Sequence, residues 1–249
     1  PVRVLVTGAT GYLGRAIVRA IDARGHTPVA FARRASSSGL DGPCIDGDVS
    51  DALAVDAAVA SCDAVCHAAA LVSIWRRDPA DFDRVNVEGT RHVLDAVARH
   101  GSARCVYTSS FLALPPAGAS APLASNDYQR TKTISDLHAR RAIASGVPLS
   151  VIYPGVIYGP GELTEGNILV RHLLDLAHGR LPALVGKAER RWNYVFVDDV
   201  AAGIAAALER GAPGRRYLLG GENVTQGELY RLVGEVGGIR VPRLRMPDF

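Results

Sequence analysis

The chain has 249 residues, 48% hydrophobic and 21% charged, which is enough apolar material for a sizeable core and close to the balance of ordinary globular proteins. A net charge of +3, with arginines scattered and aromatic residues at only 6%, leaves no nucleic-acid footprint. The longest apolar stretch, Ala64 to Trp75, is interrupted by His67 and far short of a bilayer span, so a cytoplasmic protein with no membrane partner is expected.

Short runs of branched apolar residues alternate with longer helical patterns, the arrangement of βαβ units on a parallel sheet. Val2 to Val6 reads as the first strand, Gly11 to Ala23 as the first helix, and Pro28 to Ala32 as the second strand after a stop at Gly25. Cys44-Ile45, Ala64 to Cys66 and Cys105 to Thr108 supply further strands, short and apolar enough for burial on both faces. From Ala80 to Arg99, residues Phe82, Val85, Gly89, Val93 and Val97 recur on one helical stripe. A second long helix is expected from about Asn126 to Ser145, with Asn126 as its cap, followed by a strand from Leu149 to Tyr153. Pro154-Gly155 and Gly159-Pro160-Gly161 then break the pattern. Strand-like pieces (Tyr194 to Val197, Tyr217 to Leu219) and helices (Val200 to Glu209, Gln226 to Val236) follow. The four cysteines, Cys44, Cys62, Cys66 and Cys105, fall inside apolar segments without zinc or disulfide spacing; they read as buried thiols, and no metal is expected.

The opening turn, Thr7-Gly8-Ala9-Thr10-Gly11-Tyr12-Leu13-Gly14, carries a mechanism. Glycines at this spacing after a strand permit a tight turn, close approach of backbone to a pyrophosphate, and close packing of helix on strand. The helix N-terminus then offers its free amides to the phosphates. Together with the βαβ alternation this predicts a doubly wound α/β fold of the Rossmann type, one domain over 1–249. A small substrate lobe is drawn from about 159–192 and 222–249. The tail Arg240 to Phe249, basic and apolar with two prolines, stops abruptly and reads as truncated.

At the end of the second strand an NAD site would place a carboxylate for the ribose. Here stand Ala32, Arg33 and Arg34, whose guanidinium groups suit a 2′-phosphate, so NADP(H) is the expected cofactor and NAD(H) the alternative. Asp48, before Val49, is placed to accept from an adenine amino group or is an ordinary turn aspartate. His67 reads as a satisfied, partly buried histidine. The small residues after it, Ala68, Ala69 and Ala70, let backbone pass close to the cofactor. Thr108-Ser109-Ser110 closes the fifth strand, where hydroxyls face the ligand crevice and a serine can donate to a carbonyl oxygen as charge develops on it. Tyr128 and Lys132 are four apart on a helix and share a face. The ammonium is therefore expected near the phenol, favouring its ionised form and making it usable as an acid or base.

Together these motifs resemble the short-chain dehydrogenase/reductase superfamily, and within it the extended branch, the NAD-dependent epimerase/dehydratase family. The resemblance runs from Val2 to about Gly221. It rests on the glycine turn, Asp48, His67-Ala68-Ala69, Asn86 in Val85-Asn86-Val87-Glu88-Gly89, Ser110, Tyr128 and Lys132, Tyr153-Pro154-Gly155, and Phe196-Val197-Asp198-Asp199-Val200. The Thr108-Ser109-Ser110-Phe111 sequence and the two arginines are most similar to the dihydroflavonol-reductase and 3β-hydroxysteroid-dehydrogenase-like group. The resemblance implies that Tyr128 is the general acid/base and that Lys132 holds the nicotinamide ribose while lowering the tyrosine pKa. It further implies that Ser110 orients the carbonyl, that Asn86 holds a water linking Lys132 to solvent, and that Tyr153, Pro154, Gly155 and Val156 line the nicotinamide end. A homodimer through the helices Ala80 to Arg99 and Asn126 to Ser145 is the oligomer it implies.

The expected activity is hydride transfer between NADP(H) and a carbonyl or secondary alcohol on a fairly apolar small molecule. Dehydratases of this branch carry an acidic pair directly after the hydroxyl residue, where this chain has Phe111 and Leu112, which argues against dehydration. A nucleotide-sugar epimerase is the first alternative. A dinucleotide-sensing protein without catalysis is another, though it would be expected to lack Tyr128 or Lys132. Phe111, Leu112, Leu114, Trp75, Ile74 and Trp192 form either an apolar substrate pocket or plain core.

Overall fold

The strands are short and apolar on both faces because helices cover the sheet from both sides, and neighbouring residues along each strand serve opposite cores. The computed structural model describes residues 1–246; the last three positions of the expected C-terminal lobe, 247–249, lie outside the described residues. The first half consists of β1 (Arg3–Thr7), α1 (Tyr12–Asp22), β2 (Thr27–Ala32), β3 (Cys44–Asp46), α2 (Ala52–Ala60) and β4 (Ala64–His67). There follow α3 (Ala80–Phe82), a π-helical turn (Asp83–Glu88), α4 (Gly89–His100), β5 (Arg104–Thr108), a 3-10 turn (Phe111–Ala113), α5 (Asp127–Ala144) and β6 (Leu149–Pro154). The remainder is β7 (Val156–Tyr158), α6 (Ile168–Ala177), β8 (Leu184–Val185), β9 (Arg191–Phe196), α7 (Val197–Arg210), β10 (Arg216–Leu219), β11 (Glu222–Thr225), α8 (Gln226–Gly237) and β12 (Arg245–Met246).

Seven strands form one parallel sheet in the order β10-β6-β5-β4-β1-β2-β3. This is the doubly wound Rossmann order, which reverses direction between β1 and β4 and opens a crevice at the carboxyl ends there. Val4, Val6, Cys66, Val106 and Ile152 face one way, onto Ile17 and Ile21 of α1 and Val200 and Ile204 of α7. Leu5, Val29, Val65, Cys105 and Tyr107 face the other, onto Val59 of α2, Val93 and Val97 of α4 and Ala139 of α5. A third cluster joins Leu176 of α6, Leu184 of β8 and Tyr230 of α8, away from both sheet faces and within the stretch expected to form the small lobe.

Two expectations are corrected. Cys66 and Cys105 are buried thiols, and burial pushes Cys66 up to about 12, but Cys44 and Cys62 sit at strand and helix ends and are only half-buried. The helix expected from Ala80 to Arg99 is there from Ala80 to His100, and the correction is to its kind: over Asp83–Glu88 it is a π-helix, which widens the turn around Asn86 between α3 and α4. Among the described residues no helix is long and apolar enough to cross a membrane.

Candidate active site

Parallel pairing in register brings Thr7 of β1, His67 of β4 and Tyr107 of β5 side by side at the carboxyl edge of the sheet. The glycine turn leaves this edge. Gly8 has φ +71°, and a Cβ there would lie 2.7 Å from Ala69 Cα; at Gly14 it would lie 2.0 Å from Gly8 O. Both contacts demand glycine, because the turn folds back on itself and on the chain leaving β4. Gly11 caps α1 without a side-chain bond, and the first turn of α1 carries no acidic residue. The leading amides and the positive end of the helix dipole are thus open to an anion, and these residues fit a dinucleotide pyrophosphate. Thr10, Gly11, Tyr12 and Leu13 are half-buried along this turn. The Tyr12 hydroxyl donates to the carbonyl of Gly159 (2.6 Å), and Arg15 bridges Glu162 (3.0 Å) and the carbonyl of Ser38 (3.0 Å). The segment after β7 is thereby strapped across the start of α1.

Arg33 and Arg34 follow β2, exposed and without a carboxylate partner among the described residues. The acid that β3 places beside Ala32 is Asp46. Both its oxygens are occupied by Ser36, through the amide (2.9 Å) and the hydroxyl (2.6 Å), which hold its carboxyl below the usual range. Asp48 Oδ1 accepts from the amide and hydroxyl of Ser50 at 2.9 and 2.8 Å, a turn-forming arrangement. Val49 is buried with its side chain against the Gly89 position and its carbonyl paired with His92 Nδ1 (3.0 Å), so its side chain faces the core and not the crevice.

His67 is fully buried, its Nδ1 paired with Thr7 Oγ1 (2.7 Å) and its Nε2 with Thr90 Oγ1 (3.0 Å). Burial, reinforced by the nearby Lys132, pushes it down to about 3, so it is neutral. Ala68, Ala69 and Ala70 line the exit from β4, half-buried, and the Ala69 amide donates to Thr7 Oγ1 (3.2 Å).

Ser110 and Tyr128 are brought together. Ser110 is 6% exposed, and its Oγ accepts from the Leu112 amide (3.2 Å) at the start of the 3-10 turn. Its hydrogen remains free for another acceptor. α5 begins at Asn126, whose side chain caps the amide of Gln129 (2.8 Å), and this fixes Tyr128 in the first turn. Burial pushes the Tyr128 phenol up to about 12, opposed by a hydrogen bond with Ser110. The expected acidification by Lys132 is absent. Lys132 Nζ instead donates to Thr108 O (2.9 Å) and Tyr107 Oη (3.4 Å) and lies 5.0 Å from the centre of the Tyr107 ring. The shared helical face is real, but the long side chain runs toward β5, and desolvation governs both groups; it drives Lys132 down to about 7.

Asn86 is 2% exposed. Its Oδ1 accepts from the Leu71 amide (2.7 Å), while Nδ2 donates to Leu71 O and Thr131 Oγ1, both at 3.1 Å. Ser135 Oγ closes the network on Asn86 O (2.7 Å). Tyr153, expected to line the nicotinamide end, is 2% exposed, and its hydroxyl donates to Asp136 under α5. Its position in β6 alternates inward to the helix-covered face, so only the following residues, Pro154, Gly155 and Val156, approach the edge of the sheet. Phe111 and Trp192 meet edge to face (6.1 Å), whereas Ile74 and Trp75 are 75% and 72% exposed and belong to no core. Thr131, Asp136, Arg15 and the Ser36–Asp46 pair were not signalled by the sequence. Asp136 alone left a trace, as an acid at i+4 from Lys132.

Fold, glycine turn and crevice define a dinucleotide-binding protein with a serine, a tyrosine and a lysine at the carboxyl ends of its strands. The chain belongs to the NAD dependent epimerase/dehydratase family, which it matches over residues 4–220, and is an NAD(P)-dependent enzyme of the extended short-chain dehydrogenase/reductase type. It is 37% identical to sterol demethylase protein B of Methylococcus capsulatus, over 98% of this chain and 77% of that protein. It is 30% identical to a putative dihydroflavonol 4-reductase of Synechocystis, over 97% of this chain and 74% of the relative. The crystal structure of Thermus thermophilus UDP-glucose 4-epimerase in complex with NAD superimposes with a TM-score of 0.83 at 26% identity, covering 98% of this chain and 86% of that one.

Proposed function

We propose that this protein reduces a ketone or aldehyde on an apolar small molecule, with NADPH as preferred cofactor and Ser110, Tyr128 and Lys132 as its catalytic residues. The observation that carries the proposal is a glycine turn closed against the chain leaving β4, on a sheet whose neighbouring strand end carries Ser110, with Lys132 of α5 anchored on Thr108 O and Tyr128 one turn before it. The Tyr128 phenol carries its proton at neutral pH, as a donor to a reduced carbonyl oxygen must.

When bound, the nicotinamide supplies the hydride that the carbonyl carbon receives. The chain's own residues handle the oxygen. Ser110, whose Oγ accepts from the Leu112 amide, donates its hydrogen to the carbonyl oxygen as negative charge develops there. Tyr128 donates its phenolic proton to the same oxygen and leaves an alcohol. Lys132, anchored on Thr108 O, is the residue that would hold the ribose hydroxyls, and Asn86 fixes the backbone at Leu71 beside the crevice. Gly8, Thr10, Gly11, Tyr12, Leu13 and Gly14 would cradle the pyrophosphate. Ala68 to Ala70, Thr108, Pro154, Gly155 and Val156 would line the remainder, and Asp48 the adenine end.

Support for NADPH comes from Arg33 and Arg34, exposed and without a carboxylate partner among the described residues, and from Asp46, the acid beside Ala32, whose oxygens are engaged by Ser36. Support for an apolar, ring-bearing substrate comes from Phe111, just after β5, meeting Trp192 of β9 edge to face, and from the sterol in the name of the 37% identical relative. The same reading includes a homodimer through α4 and α5. Between them lies an open hollow of about 260 Å³, lined by Leu94, Ala98 and Val147 and edged by Arg91 and Arg141.

The test is a spectrophotometric scan of NADPH oxidation against aldehydes, simple ketones and 3-ketosteroids. Turnover with an apolar ketone is the expected result. Tight NADPH binding with no turnover on any carbonyl would overturn it in favour of a dinucleotide sensor.

A further inference from the structure

Arg15 stands in the first turn of α1, its amide bonded back to Gly11 O at 3.0 Å. Helical side chains lean toward the N-terminus of their helix, so this guanidinium is carried back toward the glycine turn. It reaches the turn that follows β2, where Nη2 donates to Ser38 O at 3.0 Å. That turn is tightly wound and carries Arg33 and Arg34: the Ala35 amide donates to Ala32 O (3.3 Å), and the Ser38 amide and hydroxyl to Ala35 O (3.1 and 2.6 Å). A dinucleotide lying from the helix N-terminus to the end of β2 has its adenosine ribose between these two elements.

The same Nη2 is met by Glu162 Oε2 at 3.0 Å, a carboxylate 70% exposed against 22% for the arginine. Nε, which forms a donor fork with Nη2, is shielded from solvent and has no partner among the described residues. One arm of the fork is therefore held by a single exposed oxygen while the other is buried and unmet, although a phosphate takes both arms at once. Glu162 can let go without undoing its segment. The Tyr12 hydroxyl holds Gly159 O (2.6 Å), Gly161 packs on the Tyr12 ring, and Arg76 pairs with Glu165 further along.

We propose that Arg15 is a specificity-determining residue for the cofactor's 2′-phosphate, and that Glu162 is an internal anion which this phosphate displaces from it. The inference rests on the preference for NADPH given above. A phosphate monoester carries between about 1.5 and 2 negative charges at neutral pH and three acceptor oxygens, so it outbids an exposed carboxylate and engages Nε and Nη2 together. NADH brings only a ribose hydroxyl to the same place, which leaves the Arg15–Glu162 pair intact. Arg33 and Arg34 supply charge from the β2 side and Arg15 from α1, and the release of Glu162 is part of the discrimination.

The test is equilibrium binding of NADPH and NADH to the full chain, repeated with adenosine 2′,5′-bisphosphate and adenosine 5′-monophosphate, which differ in the 2′-phosphate alone. Glu162→Gln removes the competing charge and is expected to tighten NADPH by about two- to fivefold, with NADH changed by less than about twofold. Arg15→Met, which keeps an apolar stem on α1, is expected to weaken NADPH by about tenfold and NADH by less than about twofold. In the Arg15→Met background, Glu162→Gln is expected to leave NADPH affinity unchanged, because the carboxylate then has no guanidinium to hold. The bisphosphate is expected to follow NADPH, and the monophosphate NADH. Equal weakening of both cofactors by Arg15→Met would overturn the proposal, as would an unchanged NADPH affinity. Should that variant not fold, Glu162→Gln, at an exposed position, decides by itself, and no tightening of NADPH would overturn the proposal. If the wild-type chain binds NADPH no more tightly than NADH, the cofactor reading falls and this inference with it. If the wild-type preference for NADPH survives Arg15→Met undiminished, the cofactor reading stands and the role of Arg15 alone falls.

Discussion

Lys132 is held in the interior at a cost, and the cost can be measured. Burial drives its ammonium from an ordinary 10.5 down to about 7, so between those values the unfolded chain binds a proton that the folded chain does not. Folding stability therefore rises with pH across this window, and the penalty is complete below about 7. Lys132→Met has no such proton to lose. Denaturant titrations at pH 6 and pH 10 are expected to find the variant more stable at pH 6, by on the order of 3 kcal/mol, with the gap shrinking toward pH 10. The same substitution is expected to abolish reductase turnover, since a group kept at the expense of stability belongs to function. His67 shows the same sign of linkage with no catalytic role: neutral and satisfied by Thr7 and Thr90, it supports the fold above its ordinary pKa of 6.5 and ceases to do so as the pH falls toward 3. At this scale Ser110, Tyr128 and Lys132 could be picked out of the sequence as candidates, because the proposed chemistry restricts residue type. The direction of a long side chain was not. Spacing of i and i+4 gives a common face, while the aim of Lys132 toward Thr108 and Tyr107 is decided by β5, which is far away in sequence.

The π turn at Asp83–Glu88 is the element that couples the crevice to the helical layer. By widening the helix it turns Asn86 inward, where one side chain meets the amide and carbonyl of Leu71 and the hydroxyl of Thr131. Removing that side chain would leave the half-buried Leu71 amide without this acceptor. Asn86→Ala is expected to lower stability by about 1–3 kcal/mol in urea titrations, the cost of the hydrogen bonds lost to Leu71 and Thr131. A change below about 0.5 kcal/mol would mean the turn stands without it. The stripe Phe82, Val85, Gly89, Val93 and Val97 foretold the helical rod correctly but not its π-helical stretch. Periodicity records which side of a helix is apolar, and both sides of the π turn keep that record. The cause lies in a loop residue fifteen positions upstream. The strand order is different: alternation of short apolar strands with helices leaves few right-handed arrangements, so the fold class could be read from the sequence.

Across the whole molecule, the proposed preference for NADPH is a matter of charge placed at one end of the crevice. Arg33 and Arg34 lie beyond β2 with no anionic partner among the described residues, while Asp46 is tied by Ser36. In equilibrium binding, Arg33→Ala with Arg34→Ala is expected to weaken NADPH by a factor of about 10–100 and NADH by less than about threefold, the difference of one or two charge-assisted contacts to phosphate. Equal weakening would show that these arginines do not read the 2′-phosphate. The substrate was the least legible property, since the apolar candidates divide: Phe111 and Trp192 pack together, and Ile74 and Trp75 stand in solvent. Hydrophobicity alone does not separate a pocket wall from an exposed loop.

The central claim is that the Tyr128 phenol, paired with Ser110, delivers the proton in carbonyl reduction. Its most direct test is Tyr128→Phe, assayed for NADPH affinity and for kcat/KM on the best ketone found. NADPH affinity within about twofold of wild type, with kcat/KM lower by a factor of at least about 100, is the expected result. Turnover within tenfold of wild type at undiminished cofactor binding would contradict it.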